Sequence, residues 1–144
     1  MNVLLDTSVF VAAMVEAHPA HPRALPWLQQ LINGTHTGFV AAHSLAELYA
    51  ILTTLPIHPR ISASTAHQLI QHNVLDVCHV VSLSKTDYAA IIQHLSEQGI
   101  VGGVTYDALI VYAASKAKVD LLLTLNEKDF RRIYPEYAEK IVAP

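Results

Sequence analysis

The chain holds one cysteine, Cys78, so no internal disulfide can form and no cysteine-based zinc site is available. A reducing cytoplasm is the simplest compartment for such a protein. Long apolar runs are missing too. The longest are of the kind Val9 to Val15, far short of the ~20 residues a membrane helix needs, so no membrane-spanning segment is expected. No basic leader precedes the first apolar run, and Asp6 interrupts it, which argues against a secretion signal. Neither a GxGxxG turn nor a P-loop occurs, so a dinucleotide or nucleoside triphosphate site is not expected. Ser8 stands where an aspartyl-phosphate phosphatase would carry its second aspartate. Charge is scarce, at 15% of residues, and the net charge of −3 lacks the basic footprint of a typical nucleic-acid binder. That balance does not exclude such a partner, because bound cations would cancel ligating carboxylates locally.

What the chain has in quantity is apolar residues, 52% of 144, enough for one domain with a largely buried sheet. Short strands are expected at Val3–Leu5, Phe39–Ala42, Val77–Leu83, Leu121–Thr124 and Ile141–Val142. Between them lie helical patterns. Val9–Val15 is apolar all round. A second helix runs through Trp27, Leu28, Leu31 and Ile32, with Pro26 in its first turn and Asn33-Gly34 at its end. Ser44 opens a helix with a buried stripe of Leu45, Leu48, Tyr49 and Leu52. Shorter patterns cover Ser62–His72 and Ser84–Gln98, the latter on Tyr88, Ile91, Ile92 and Leu95. The most regular helix carries Tyr106, Leu109, Ile110, Ala113, Ala114 and Ala117 on one face, with Thr105 as N-cap. A last helix covers Asn126–Ile133. Strand and helix alternate without repeat or linker, which predicts a single α/β domain with a mainly parallel sheet.

In such sheets ligands gather beyond the carboxyl ends of the strands, and acids recur at that edge. Asp6 ends the first strand, Glu47 lies in the first turn after the second, and Asp107 opens a later helix. Asn126 and Asp129 follow the Leu121–Thr124 strand. Each has a structural explanation of its own. Ser44–Glu47 and Thr124–Glu127 fit the capping box, and Asp6 and Asp107 suit helix N-terminal dipoles. Their common edge favours a site instead. Carboxylates held together repel, and one takes up a proton unless a cation joins them. Magnesium or manganese suit such a donor set and can activate water against a phosphodiester. The nine histidines show no metal-ligand spacing, and His43 reads as a surface or packing residue. Gly102-Gly103 read as a turn or a mobile loop beside the cleft. Lys116, Lys118, Lys128, Arg131 and Arg132 are the basic side chains nearest the acidic motifs.

Four segments, Leu5-Asp6-Thr7-Ser8, Ser44-Leu45-Ala46-Glu47-Leu48, Tyr106-Asp107-Ala108-Leu109-Ile110 and Thr124-Leu125-Asn126-Glu127-Lys128-Asp129-Phe130, resemble in order the motifs of PIN domains. Order and length are most similar to VapC-type ribonuclease toxins of type II toxin–antitoxin pairs. The resemblance covers nearly the whole chain. It implies one PIN-like domain over residues 1–144 with a three-layer α/β/α fold. It also implies Mg²⁺- or Mn²⁺-dependent endoribonuclease activity leaving 5′-phosphate and 3′-hydroxyl ends. Asp6 and Asp107 would ligate metal directly, and Glu47 would ligate it or hold its water. Asn126 stands where relatives often carry Asp and would position water or RNA, with Asp129 binding metal or anchoring the loop. Thr7, Ser8 and Thr124 would bind phosphate or orient carboxylates, and Arg131 and Arg132 would contact phosphate. The partners implied are RNA and a cognate antitoxin. A homodimer is expected from the apolar helices Val9–Val15, Leu25–Ile32, Leu45–Leu55 and Ala66–Ile70, read as more than one small domain can cover. The alternative is the same fold without chemistry, acting by binding RNA or a partner protein.

Overall fold

The computed structural model describes residues 1–144. Five strands, β1 (Asn2–Leu5), β2 (Thr37–Ala41), β3 (Cys78–Val81), β4 (Leu121–Leu123) and β5 (Ile141–Val142), form one sheet in the order β3-β2-β1-β4-β5. All four pairings are parallel. Successive strand side chains point to opposite faces, and the two cores follow that alternation. Val3, Leu5, Val40 and Leu123 join one cluster, while Leu4, Ala41 and Leu122 join the other. The first is covered by α1 (Thr7–Met14), α2 (His21–Ile32), α3 (Ala42–Thr54) and α4 (Ala63–Ile70), the last continued by a π-turn over Gln71–Leu75. The second is covered by α5 (Lys85–Gln98), α6 (Val104–Lys116) and α7 (Glu127–Ile133), with a 3₁₀ segment at Pro135–Lys140. The architecture is three-layer α/β/α, as the alternation of strand and helix predicts.

Several boundaries differ from expectation. Helix α2 begins at His21, with Pro22 in its first turn, and it runs through Pro26. Pro26 has no N–H for the carbonyl of Pro22, so one hydrogen bond is lost near the helix start, where the loss is mildest. Helix α3 starts at Ala42 directly out of β2, with no intervening residues, so Ser44 is inside the helix rather than at its cap. The Ser44–Glu47 capping box therefore does not form, and Glu47 lies in the second turn. Ser44 is fully buried, and its hydroxyl has no hydrogen-bond partner. Likewise α6 is capped by Gly103, not by Thr105. A capping box does form at Ser84, whose hydroxyl accepts from Asp87 N while the Asp87 carboxylate accepts from Ser84 N.

Burial also corrects three stripes and one surface. Tyr88 and Ile92 of α5 are exposed, as are Tyr49 of α3 and Tyr106 of α6. Helix α6 is instead enclosed through Ala108–Val111, Ala113 and Ala114. The run Val9–Val15, whose all-round apolar sequence reads as a buried helix but which also counts among the apolar helices favouring a dimer, is core apart from the partly buried Met14. Packing of α1 against α2 and α3 covers it within one chain. No helix is long and apolar enough to cross a membrane.

Candidate active site

Strand register brings the first residues of the site together. Leu5 pairs with Leu123, so the next residues, Asp6 and Thr124, stand side by side where β1 and β4 end. Asp6 N donates to Leu123 O at 2.9 Å, and Thr124 N donates to Val142 O at 3.0 Å. Asp6 takes the N-cap position of α1, yet its carboxylate does not cap the helix. It accepts instead from Ser8 Oγ at 2.7 Å and from Thr124 Oγ1 at 2.9 Å, both on Oδ2. Those hydroxyls are in turn fixed by the loop after β4: Leu125 N donates to Ser8 Oγ and Asn126 N to Thr124 Oγ1. The clamp turns one carboxylate edge inward and leaves Oδ1 without a hydroxyl donor. It also explains why the Thr124–Glu127 capping box is absent, since Thr124 is bound to Asp6 and the cap of α7 is Asn126.

The second acid is held in the same manner. Thr7 Oγ1 donates to Glu47 Oε1 at 3.1 Å, and His43 Nε2 lies 3.6 Å from that oxygen. His43 also stacks on Tyr106, with ring centroids 5.1 Å apart and planes 2° from parallel. Thr7, Ser8 and Thr124 thus each give their one hydroxyl hydrogen to a carboxylate. In this arrangement the three hydroxyls orient carboxylates.

Asp107 is half-buried in the first turn of α6. Burial, and then the negative charges of Asp6, Glu47 and Asp129 in that order, push its carboxyl up to about 6. The Asp6 carboxyl is also raised, first by burial, against the lowering effect of the hydrogen bonds from Ser8, Thr124 and Thr7. Asp129 accepts from Asn126 Nδ2 at 3.1 Å, and Arg132 Nη2 lies 4.0 Å away. The structure therefore places Asp6, Glu47, Asp107, Asn126 and Asp129 in one electrostatic neighbourhood. No lysine or arginine pairs with Asp6, Glu47 or Asp107.

The basic residues divide. Lys116 donates to Asp87 at 2.6 Å and to Ser82 O at 3.0 Å, tying α6 to the start of α5. Arg131 donates Nε and Nη2 to Ile141 O. Both also hydrogen-bond within the fold while staying exposed, and Arg132 is the arginine that approaches an acid of the set, Asp129. The His43–Tyr106 stack was not expected. His43 reads as a packing residue and Tyr106 as part of a buried stripe. The signal was their spacing, since Tyr106 precedes Asp107 and His43 lies one helical turn before Glu47.

The donor set is one of carboxylate oxygens, the chemistry of a hard divalent cation, and such an ion would favour the charged form of Asp107 against the burial and the like charges that raise its carboxyl. As placed, no three His, Cys, Asp or Glu side chains share a common point at ligand distance. Repulsion keeps uncompensated carboxylates apart, and the hydroxyl clamp turns one edge of Asp6 inward. The residues fit the group in kind.

The fold and this edge define a family: the chain matches the PIN domain over residues 3–135 and belongs to it. Among characterised relatives it is similar to ribonuclease VapC40 of Mycobacterium tuberculosis. The two are 33% identical over 117 residues, 81% of either chain. Ribonuclease VapC27 of the same organism is 29% identical over 117 residues, 81% of this chain and 80% of that one. Among solved structures, VapBC2 from Rickettsia felis, bound to a promoter DNA fragment, aligns with a TM-score of 0.71 at 21% identity, covering 100% of this chain and 99% of that one. FitAcB from Neisseria gonorrhoeae aligns at 0.66 and 18% identity, covering 98% and 95%.

Proposed function

We propose that this chain is a divalent-metal-dependent endoribonuclease and the toxin of a toxin–antitoxin pair. The observation that carries the reading is Asp107, a carboxyl pushed up to about 6 among three other acids with no basic side chain paired to it. A binding module has no physical need for that arrangement. Relatives named as VapC ribonucleases support the same class of activity.

Asp6, through the oxygen its hydroxyl clamp leaves free, would hold Mg²⁺ or Mn²⁺ together with Asp107 and Glu47, while Asp129 adds negative charge behind them. A divalent cation there supplies Lewis acidity toward the phosphate and lowers the pKa of water. The remaining work belongs to the protein. Ser8 and Thr124 keep Asp6 in one rotamer, and Thr7 does the same for Glu47. Glu47 orients the attacking water. The Asn126 side chain, tethered through its Nδ2 to Asp129, presents its carbonyl oxygen to water or RNA. Arg132 approaches a phosphate flanking the cut. Hydrolysis by water leaves a 5′-phosphate and a 3′-hydroxyl, with no covalent enzyme intermediate.

The partners proposed are RNA, a cognate antitoxin and a second copy of the chain. Exposed Val80 on the edge strand β3 and Tyr88 and Ile92 on α5 are apolar side chains such contacts would cover. The test is cleavage of single-stranded RNA by purified protein in Mn²⁺, with mapping of the new ends. Cleavage yielding 5′-phosphates is expected. Absence of both Mn²⁺ binding by calorimetry at millimolar metal and any cleavage would overturn the enzyme and leave the binding module.

A further inference from the structure

The aromatic pair at the rim of the acids has no role in the chemistry above. Tyr106 sits in the first turn of α6, a helix otherwise buried through Ala108–Val111, Ala113 and Ala114, yet 53% of it is exposed. Its ring lies parallel to that of His43, so one ring supports the other in a fixed plane. The pair joins the starts of α3 and α6. Tyr106 adjoins Asp107 in sequence, and His43 reaches to 3.6 Å of the Glu47 carboxylate. A flat, half-open, braced π surface therefore borders two of the acids.

The charge distribution favours such a surface. Nucleic-acid affinity ordinarily comes from cations neutralising phosphates. Here the net charge is −3, and Lys116 and Arg131 already make hydrogen bonds within the fold. Contacts to the bases add binding that does not depend on those cations. Stacking on aromatic side chains does so for any base, provided the base is unstacked from its neighbours.

We propose that Tyr106, braced by His43, is a base-stacking platform that positions an unpaired nucleotide next to the scissile phosphate and restricts the enzyme to single-stranded RNA. This rests on the ribonuclease reading. A base within a duplex cannot reach the ring, so double-stranded RNA is excluded by geometry. Tyr106 is a positioning residue: it acts on how substrate is held and leaves the reacting atoms to the acids.

The experiment uses the full chain and a single-stranded RNA oligonucleotide in which 2-aminopurine replaces each adenine in turn. Fluorescence is titrated in EDTA, and cleavage kinetics are measured in Mn²⁺. Wild type should quench emission at one position, by stacking. Tyr106→Phe should keep the quench and the KM. Tyr106→Leu, which retains an apolar side chain but no π face, should lose the quench and raise KM by about 5- to 150-fold with kcat little changed. No quench at any position with wild type, equal KM for Tyr106→Leu and wild type, or equal cleavage of single-stranded and duplex RNA would each overturn the platform. The wild-type titration decides the matter even if a variant fails to fold. Absence of any cleavage by wild type in Mn²⁺ would instead overturn the ribonuclease reading and this inference with it.

Discussion

Asp107 carries opposite consequences for activity and for stability. Its carboxyl titrates near 6 in the folded chain, against an ordinary value of 3.8. Between those values the folded state holds a proton that the unfolded state has released, so acid favours folding. The penalty is present in full above pH 6, shrinks as pH falls through 6 and is gone near 4. Asp6 is shifted in the same direction. For a half-buried carboxyl the span is roughly 1–2 kcal/mol after solvent screening. Asp107→Asn should therefore abolish cleavage, raise the melting temperature of metal-free protein at pH 7.5 and leave it nearly unchanged at pH 4.5. Thermal melts of both proteins in EDTA at the two pH values check this. Equal differences at both would show that Asp107 is not strained by its neighbours.

Glu47 poses a different question. Because no capping box forms at Ser44, Glu47 contributes to α3 only as an interior residue, and Gln is an equally good helix former. Glu47→Gln should lower activity sharply while the melting temperature moves by about 1 °C or less. Unchanged kcat would return this side chain to a merely structural role. Stabilisation by Mn²⁺, measured as a rise in melting temperature, should likewise shrink in this variant.

At the scale of the elements, one helix start and one close approach dominate. The capping box of Ser84 and Asp87 opens α5, and Lys116 from α6 binds the same Asp87 carboxylate. Those contacts hold the Asp87 carboxyl down at about 2. Ser84→Ala should cost about 1 kcal/mol, a fall of about 3 °C in melting temperature, without change in cleavage. In β2, a Cβ on Gly38 would stand 2.8 Å from Cys78 Sγ and 2.9 Å from Leu31 Cδ1. Gly38→Ala should destabilise by about 1–3 kcal/mol through overpacking, and pairing it with Cys78→Ala should recover part of that loss. Denaturant midpoints of the single and double variants test it.

These elements also show what was legible in advance. The acids Asp6, Glu47 and Asp129 stood out in the sequence because each follows a strand end, and Asp107 because it opens a regular apolar helix. The Ser84 helix start and its Gly99 stop needed only local pattern, and Gly99 does adopt the left-handed conformation. What failed depended on geometry that no local pattern encodes. Ser44 looked like a cap because the abrupt passage from β2 into α3 is invisible in sequence. The hydroxyls of Ser8 and Thr124 could not be assigned to Asp6 without the Leu5–Leu123 register. Tyr106 matched the period of a buried stripe, but it stands exposed at the helix start, against His43 of α3.

On the scale of the whole molecule, the exposed apolar residues are fewer than the composition suggested, since Val9–Val15 is core. What remains outside includes Val80 of β3 and Tyr88 and Ile92 of α5, with Ile32, Tyr49 and Leu75 on other elements. A homodimer through such a surface would weaken when Ile92 is replaced by a charge. Light scattering at micromolar concentration should give twice the 15.8 kDa chain mass, and Ile92→Glu should shift it toward the monomer. A wild-type monomer would remove the dimer.

The clamp on Asp6 joins residues 118 positions apart, and the backbone of Thr124 is in turn tied to Val142. A ribosome adding about 5–20 residues per second takes roughly 6–24 s to travel from Asp6 to Thr124, so β4 follows β1 by that interval. Until then Asp6 lacks the hydroxyl that holds it from the far side of the chain. On the ribonuclease reading proposed above, a nascent chain that stops short of Thr124 should be inactive toward RNA.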